Sequence, residues 1–410
     1  MTVRVTVRQG TQADEDEVLR VHEFAFGIAP RDGAARARRR EVLDYRRSLV
    51  AVAAGELCGT AASHAFTMAV PGGLRPVAGV AAVGVLPTHR RRGVLTALIR
   101  RQLTDLHEGG EALAALYASE PAIYGRFGYG AASYDLTLTL PRDPAALETA
   151  PGDDTLRFRI TEPHESLELI EPLHARLVRA RPGMIVREPA WARRAVSDPP
   201  EERAGASPLR CVLAEDAGGV RGYAWYRTTL RWVQESAAGT VAIREAFAGD
   251  PPAYAAVWRY LLSLDLMARV ETGSRPVDDP LLAMLADARR GVPTVHDGLY
   301  VRTVEVGRAL SSRTYSASID AVLQVRDPFC GWNEGRWRLA GGPEGATCER
   351  TRAPADLELG ARELGAAYLG GTSLRLLREA GRVSELRRGA LQAVSRAFAH
   401  DPLPYCQVGF

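Results

Sequence analysis

Three arginines stand directly before a glycine and an apolar helical pattern in PTHRRRGVLTAL, residues 87–98. Behind Gly93 the residues Val94, Leu95, Leu98, Ile99, Leu103 and Leu106 recur at three- and four-residue steps until Gly109 and Gly110 interrupt them. This spacing predicts an amphipathic helix with a glycine at its N-terminus. In front of it, AGVAAVGVLP (78–87) reads as a short buried strand of small and β-branched residues ended by Pro87. A strand, a tight turn and a helix start gather unpaired backbone N–H groups and the positive end of a helix dipole at one spot, which is the chemistry of a phosphate site. On these residues alone two other readings stay open: a basic patch for nucleic acid, and a solvated helix start whose arginines pair with acidic neighbours.

The elements that must position this turn fall into three sections. Residues 1–150 alternate strands and helices: a strand at 3–7, a helix over 15–26, an Arg-rich helix over 34–47, a strand pair turning at Ala54–Gly55–Glu56, then the strand, turn and helix above. ALAALYAS (112–119), a short helix at 121–127 and the strand SYDLTLTL (133–140) complete this section, and PRDPAALETAPGDD (141–154) reads as a linker. Residues 151–297 form a second α/β section with strands at 156–161, 208–215, 220–228 and 240–246 and a helix over 254–267, without a comparable glycine turn. Residues 298–410 change to an α+β pattern, with IDAVLQV (319–325) and GRWRLAGG as strands and helices near 373–380 and 384–399.

Composition narrows the function. The 410 residues carry 46% hydrophobic and 25% charged residues, the balance of a soluble globular chain of two or three domains. All 52 basic residues are arginine, which excludes a Schiff-base lysine or a P-loop lysine, and a net charge of +3 is too small for a dedicated nucleic-acid binder. Five scattered cysteines without a CxxC predict reduced thiols in a cytoplasmic protein, and the histidine spacing predicts no metal site. No apolar run of about 18 residues predicts a membrane span, and MTVRVTVRQG lacks a signal-peptide core.

The order Arg90, two residues, Gly93, one residue, Leu95 resembles the [QR]xxGx[GA] pyrophosphate loop of the GNAT superfamily of acyl-CoA transferases, with Leu95 as the departure. ALYASEPAIYGRFGYG (115–130), SLDLMAR, HDGLYVR (296–302) and the final YCQVGF extend the similarity over the whole chain to one family, the enhanced intracellular survival (Eis) acetyltransferases. The resemblance implies an N-terminal GNAT domain (1–150), a central GNAT-like domain (151–297) and a C-terminal α+β domain like sterol carrier proteins (298–410). It further implies acetyl-CoA as co-substrate, with Val83, Gly84 and Val85 along the pantetheine arm, Arg91, Arg92, Gly93, Val94, Leu95 and Thr96 around the pyrophosphate, and Ser119 and Glu120 on the neighbouring strand. Tyr124 corresponds to the family's general acid and the carboxylate of Phe410 to its general base. Taken without the resemblance, Tyr124 reads rather as a core aromatic between glycines, and Phe410 as a frayed end.

The implied acceptors are amines of aminoglycosides and lysine side chains of proteins, handled by a homohexamer, with no nucleic acid and no membrane involved. Candidate acceptor-site walls are Phe24, Phe26, Glu23 and Asp297; Phe26 and Gly409 stand where acidic residues are expected, which predicts weaker recognition of cationic aminoglycosides. A tyrosine near its ordinary ~10 can protonate a thiolate of ~8.5 for about 2 kcal/mol. A carboxylate near ~3.5 removes a proton from an alkylammonium of ~10.4 only at about 9 kcal/mol, so the proton must leave after attack begins or from an amine of lowered pKa. The competing reading from another class is a lipid or sterol carrier built on residues 298–410, with an inactive N-terminal domain.

Overall fold

A computed structural model describes residues 5–143, 146–147 and 155–410. The start of the first strand (3–4) and most of the expected linker, including the 150/151 boundary, lie outside the described residues. The chain divides into two compact units, one of residues up to Ser133 together with Gly298–Phe410, the other Tyr134–Asp297.

The first unit holds a seven-stranded sheet in the order β1 (Val5–Gln9), β2 (Ser48–Ala53), β3 (Glu56–Val70), β4 (Gly73–Val85), β5 (Leu113–Tyr117), the strand Leu299–Thr303 and β6 (Gly130–Ala131). The expected hairpin between β2 and β3 turns at Ala54 and Gly55, whose φ values of 53° and 84° suit a two-residue connection between twisted strands. Helix α1 (Glu15–Phe26) opens on three acidic residues that complement its dipole, buries Leu19, Val21 and His22, and stops at Gly27 with φ 64°. Helix α3 (Val94–Glu108) buries Val94, Leu98, Ile99, Leu103 and Leu106, the face expected from spacing. Helix α2 (Gly33–Arg40) is shorter than the expected 34–47. The chain leaves the helix because the Val42 carbonyl is taken by His64 Nδ1 at 3.0 Å, and the Asp44 carboxylate accepts from Arg46 N at 2.9 Å to start a separate turn.

In the same unit a five-stranded sheet runs Gly345–Arg350, Gly335–Gly342, Ile319–Arg326, Leu357–Gly360, Val383–Glu385, with helices at Ala361–Ala367, Leu374–Glu379 and Ala390–Phe398. The helix expected over 384–399 starts only at Ala390, since Val383–Glu385 pairs as an edge strand with Leu357–Leu359.

The second unit is an eight-stranded sheet covered by the helices Pro163–Ala180 and Pro251–Ser263. Tyr134–Pro141, expected to complete the first section, belongs here: it pairs with Met267–Glu271 and Val292–Asp297, and Leu136, Leu138 and Leu140 sit in this unit's core. Conversely Leu299–Thr303, expected to open the third section, pairs with β5 and β6 in the first sheet. Alternation of apolar residues identifies a strand, but its sheet is chosen by long-range partners. The helix expected to reach Met267 ends at Ser263, because Met267–Glu271 pairs in parallel with Gly239–Ala242.

Candidate active site

β4 touches β5 only through Ala78↔Ala114 and Gly79↔Ala115, while on its other side it follows β3 to the end at Gly59↔Val85. Beyond Gly79 the two parallel strands diverge. The edge of β4 from Val80 to Val85 therefore faces a cavity of about 750 Å³ instead of a partner strand. Val83, Gly84 and Val85 line it.

A bulge interrupts β4 at this edge. Ala81 opposes Ala62 and Gly84 opposes Thr60, so Ala82 and Val83 together face Ala61, and Ala82 takes φ 53°. The Ala82 carbonyl accepts from Thr60 Oγ1 at 2.8 Å, and His22 Nε2 lies 3.2 Å from that carbonyl and 3.0 Å from Thr60 Oγ1. Burial pushes the His22 imidazole down to about 4, with the charges of Arg39 and Arg31 acting in the same direction. At pH 7 it is neutral, and because Thr60 Oγ1 gives its proton to the Ala82 carbonyl, both oxygens facing Nε2 are acceptors, which assigns the Nε2–H tautomer and lets α1 pin the bulge.

The turn before α3 has Arg91 at φ 61° and Gly93 at φ 84°. A Cβ on Gly93 would meet nothing within 4 Å, so glycine is required there by backbone angle and not by space. No side chain caps this helix. The N–H groups of Val94, Leu95 and Thr96 have no intrahelical acceptor and stand at the positive end of the dipole. Arg91, Gly93, Val94, Leu95 and Thr96 line the cavity with His89 and Arg90, whereas Arg92 is exposed and does not line it. Leu95, where the motif has Gly or Ala, is half-buried and packs against the core with Val83.

Across the opening, Ser119 and Glu120 line the cavity, followed by Tyr124 at the end of the short helix α4 (Pro121–Tyr124). Burial, and secondarily the charge of Glu120, pushes the Tyr124 phenol up to about 12. Its ring meets Tyr129 edge-on at 6.0 Å. The glycines that follow have a packing cause: a Cβ on Gly125 would stand 3.0 Å from Arg362 Nη1, and one on Gly130 would run into the Arg362 carbonyl. They let the helix Ala361–Ala367 approach the loop that carries Tyr124. Gly128, at φ 83°, leaves room for Arg302, which is buried and paired with Asp327 at 2.5 Å.

Phe410 also lines the cavity. Its ring lies 5.0 Å from Phe66 and 5.5 Å from Tyr117, and Tyr117 Oη donates to the Cys406 carbonyl at 2.9 Å, which fixes the final segment against β5. Of the acceptor-wall candidates, Phe26 lines the cavity, 6.0 Å from the His22 ring. Phe24 is 57% exposed under the Arg20 guanidinium and does not line it, and neither does Glu23. Asp297 ends an exposed strand of the second unit. Sequence reasoning missed His22, Thr60, Tyr117 and Arg126; only His22, one step from the apolar Val21 on the inner side of α1, carried a signal. Among the described residues no cluster of three or more His, Cys, Asp or Glu could hold a metal, and no helix is long and apolar enough to cross a membrane.

Residues 6–132 match the acetyltransferase (GNAT) domain family, residues 183–304 match a second family of that description, and residues 306–407 match the sterol carrier protein domain. The chain is 50% identical to an uncharacterized N-acetyltransferase of Streptomyces coelicolor over 87% of this chain and 86% of that one. It is 33% identical to the N-acetyltransferase Eis of Mycobacterium bovis over 84% of each. The crystal structure of Eis1 from Mycobacterium abscessus superposes with a TM-score of 0.84 at 32% identity, covering 99% of this chain and 100% of that one.

Proposed function

Because this chain belongs to the Eis family of GNAT N-acetyltransferases, we propose that it transfers acetyl from acetyl-CoA to amines of multi-amine acceptors by direct attack on the thioester. The observation that carries this reading is the meeting of the unpaired β4 edge with the uncapped start of α3 in one cavity. An extended amide-bearing arm fits the first, and a pyrophosphate the second. Val83, Gly84 and Val85 would serve the arm; Gly93, Val94, Leu95 and Thr96 the pyrophosphate, with Arg91 lining and Arg92 at its mouth; Ser119 and Glu120 flank the opposite wall.

In this reading the amine lone pair attacks the thioester carbonyl, the C–S bond breaks, and the departing thiolate takes the phenolic proton of Tyr124. The carboxylate of Phe410 accepts the proton released by the attacking nitrogen, and solvent returns a proton to the phenolate. With Tyr124 near 12, protonating a free thiolate of ~8.5 would be uphill by about 5 kcal/mol rather than 2. The step is carried forward by reprotonation of the phenolate from solvent, which is downhill at pH 7.

Phe26 lines the acceptor end, and Glu120 is the only acidic side chain among the described lining residues. Polycationic aminoglycosides accordingly bind weakly, and protein lysines remain acceptors under the same chemistry. A cytoplasmic homohexamer completes the proposal; Phe158 and Ile160, 46% and 65% exposed on the edge strand Arg157–Thr161, are consistent with subunit contacts. The test is thiol release from acetyl-CoA across a panel of aminoglycosides, polyamines and lysine peptides, with Tyr124→Phe as control.

A further inference from the structure

Beneath α1 and α2, on the far side of the β4 bulge, lies a second pocket of about 20 Å³ lined by Glu15, His22, Arg39, Tyr45, Thr60 and Ala82 among others. Ala82 lines both this pocket and the large cavity. Its polar lining is short of acceptors. Arg39 Nη1 and Tyr45 Oη are buried with no hydrogen-bond partner, and so is Nη1 of Arg31, whose charge bears on both Arg39 and His22. The one carboxylate among the described lining residues, Glu15, is occupied by Arg40, which donates through Nε and Nη2 at 2.7–3.0 Å. The neighbouring arginines Arg8, Arg36 and Arg47 each have their own acid, in Asp14, Asp16 and Glu111.

Buried donor atoms without acceptors call for a missing partner, and a half-buried guanidinium is better served by an anion than by a neutral group. The volume admits one water-sized group. A water would satisfy the hydroxyl of Tyr45 but add no counter-charge to Arg39, whose lining carboxylate, Glu15, is shared with Arg40. We propose that this pocket is a site for one small monovalent anion of halide size, held by Arg39 and Tyr45 beside the β4 bulge. Burial pushes Arg39 down from its ordinary value and the charge of Arg31 adds to this, while Tyr45 and Glu15 oppose it. The anion comes from solution, and the site stands independently of the acyl-transfer reading.

Bromide is the probe. Crystals of the full chain grown in sodium bromide should show an anomalous peak between Arg39 and Tyr45. The melting temperature should rise by about 2 °C per tenfold increase in bromide once saturating, beyond any rise in sodium gluconate at equal ionic strength. Arg39→Gln should lose the difference between the two salts, and so should the gentler Tyr45→Phe in part. The peak together with the bromide-specific rise in melting temperature supports the site. No anomalous peak together with identical melting in bromide and gluconate overturns it.

Discussion

Phe410 occupies space that Gly79 leaves open: a Cβ on Gly79 would run into the Phe66 ring and stand 3.1 Å from Phe410 Cε2. Gly79 is also the last residue of β4 that pairs with β5, so the end of the chain is seated where the sheet begins to open. Gly79→Ala should therefore displace both rings. Overpacking of this kind costs about 1–3 kcal/mol, visible as a lower melting temperature, and kcat for acetyl transfer should fall at least tenfold with little change in KM for acetyl-CoA. A variant with full kcat would separate Phe410 from the chemistry.

Tyr124→Phe should lower kcat by about 10²–10⁴ while leaving binding of acetyl-CoA intact, as loss of a general acid does. With the phenol raised to about 12, kcat of the parent should show no descending limb up to pH 10. A limb near pH 9 that Tyr124→Phe retained would assign the proton to another group.

The Phe410 proposal is checked by adding one glycine after it, which moves the carboxylate while keeping the ring. Acetyl transfer should drop by at least tenfold with unchanged melting temperature. An unaffected rate would argue for a purely structural role of the ring.

His22 links stability to pH. Its folded value of about 4 lies below the ordinary ~6.5, so between these values the unfolded chain binds more protons and stability rises with pH. The contribution is present in full above pH 6.5 and is lost as pH falls toward 4, by about 3 kcal/mol in total. His174 of the second unit is lowered in the same way, and Asp135 is raised to about 6 with the opposite effect. The informative quantity is thus the difference between parent and His22→Gln: urea unfolding from pH 4 to 7 should show a shallower rise for the variant. Parallel curves would mean that His22 is accessible to protons in the fold.

The turn and its flanking elements were legible because their signals are local. Gly93 marked the start of α3 and Ala54–Gly55 a hairpin, each through a backbone angle that few residues adopt. The divergence of β4 and β5, the bulge at Ala82 and the joining of Leu299–Thr303 to the first sheet were not, since each depends on partners far along the chain. Arg36, Arg40 and Arg47 looked like one basic helix; pairing with Asp16, Glu15 and Glu111 divides their charge among surface contacts and leaves Arg31 and Arg39 as the informative pair. Tyr124 and Phe410 drew their roles from resemblance, and no spacing rule would have singled them out.

At Gly93 a side chain has room but the wrong backbone angle. Gly93→Val should cost about 1–2 kcal/mol of local strain and raise KM for acetyl-CoA at least tenfold, while Gly93→Asn, which tolerates φ near 60°, should be milder. Equal KM values for all three proteins would detach the turn from cofactor binding.

The most direct measurement is a crystal structure with coenzyme A bound. Pyrophosphate oxygens within hydrogen-bond distance of the backbone nitrogens of Val94, Leu95 and Thr96, with the pantetheine arm along Val83–Val85, are the predicted result. Coenzyme A seated outside the β4–β5 opening would contradict the account.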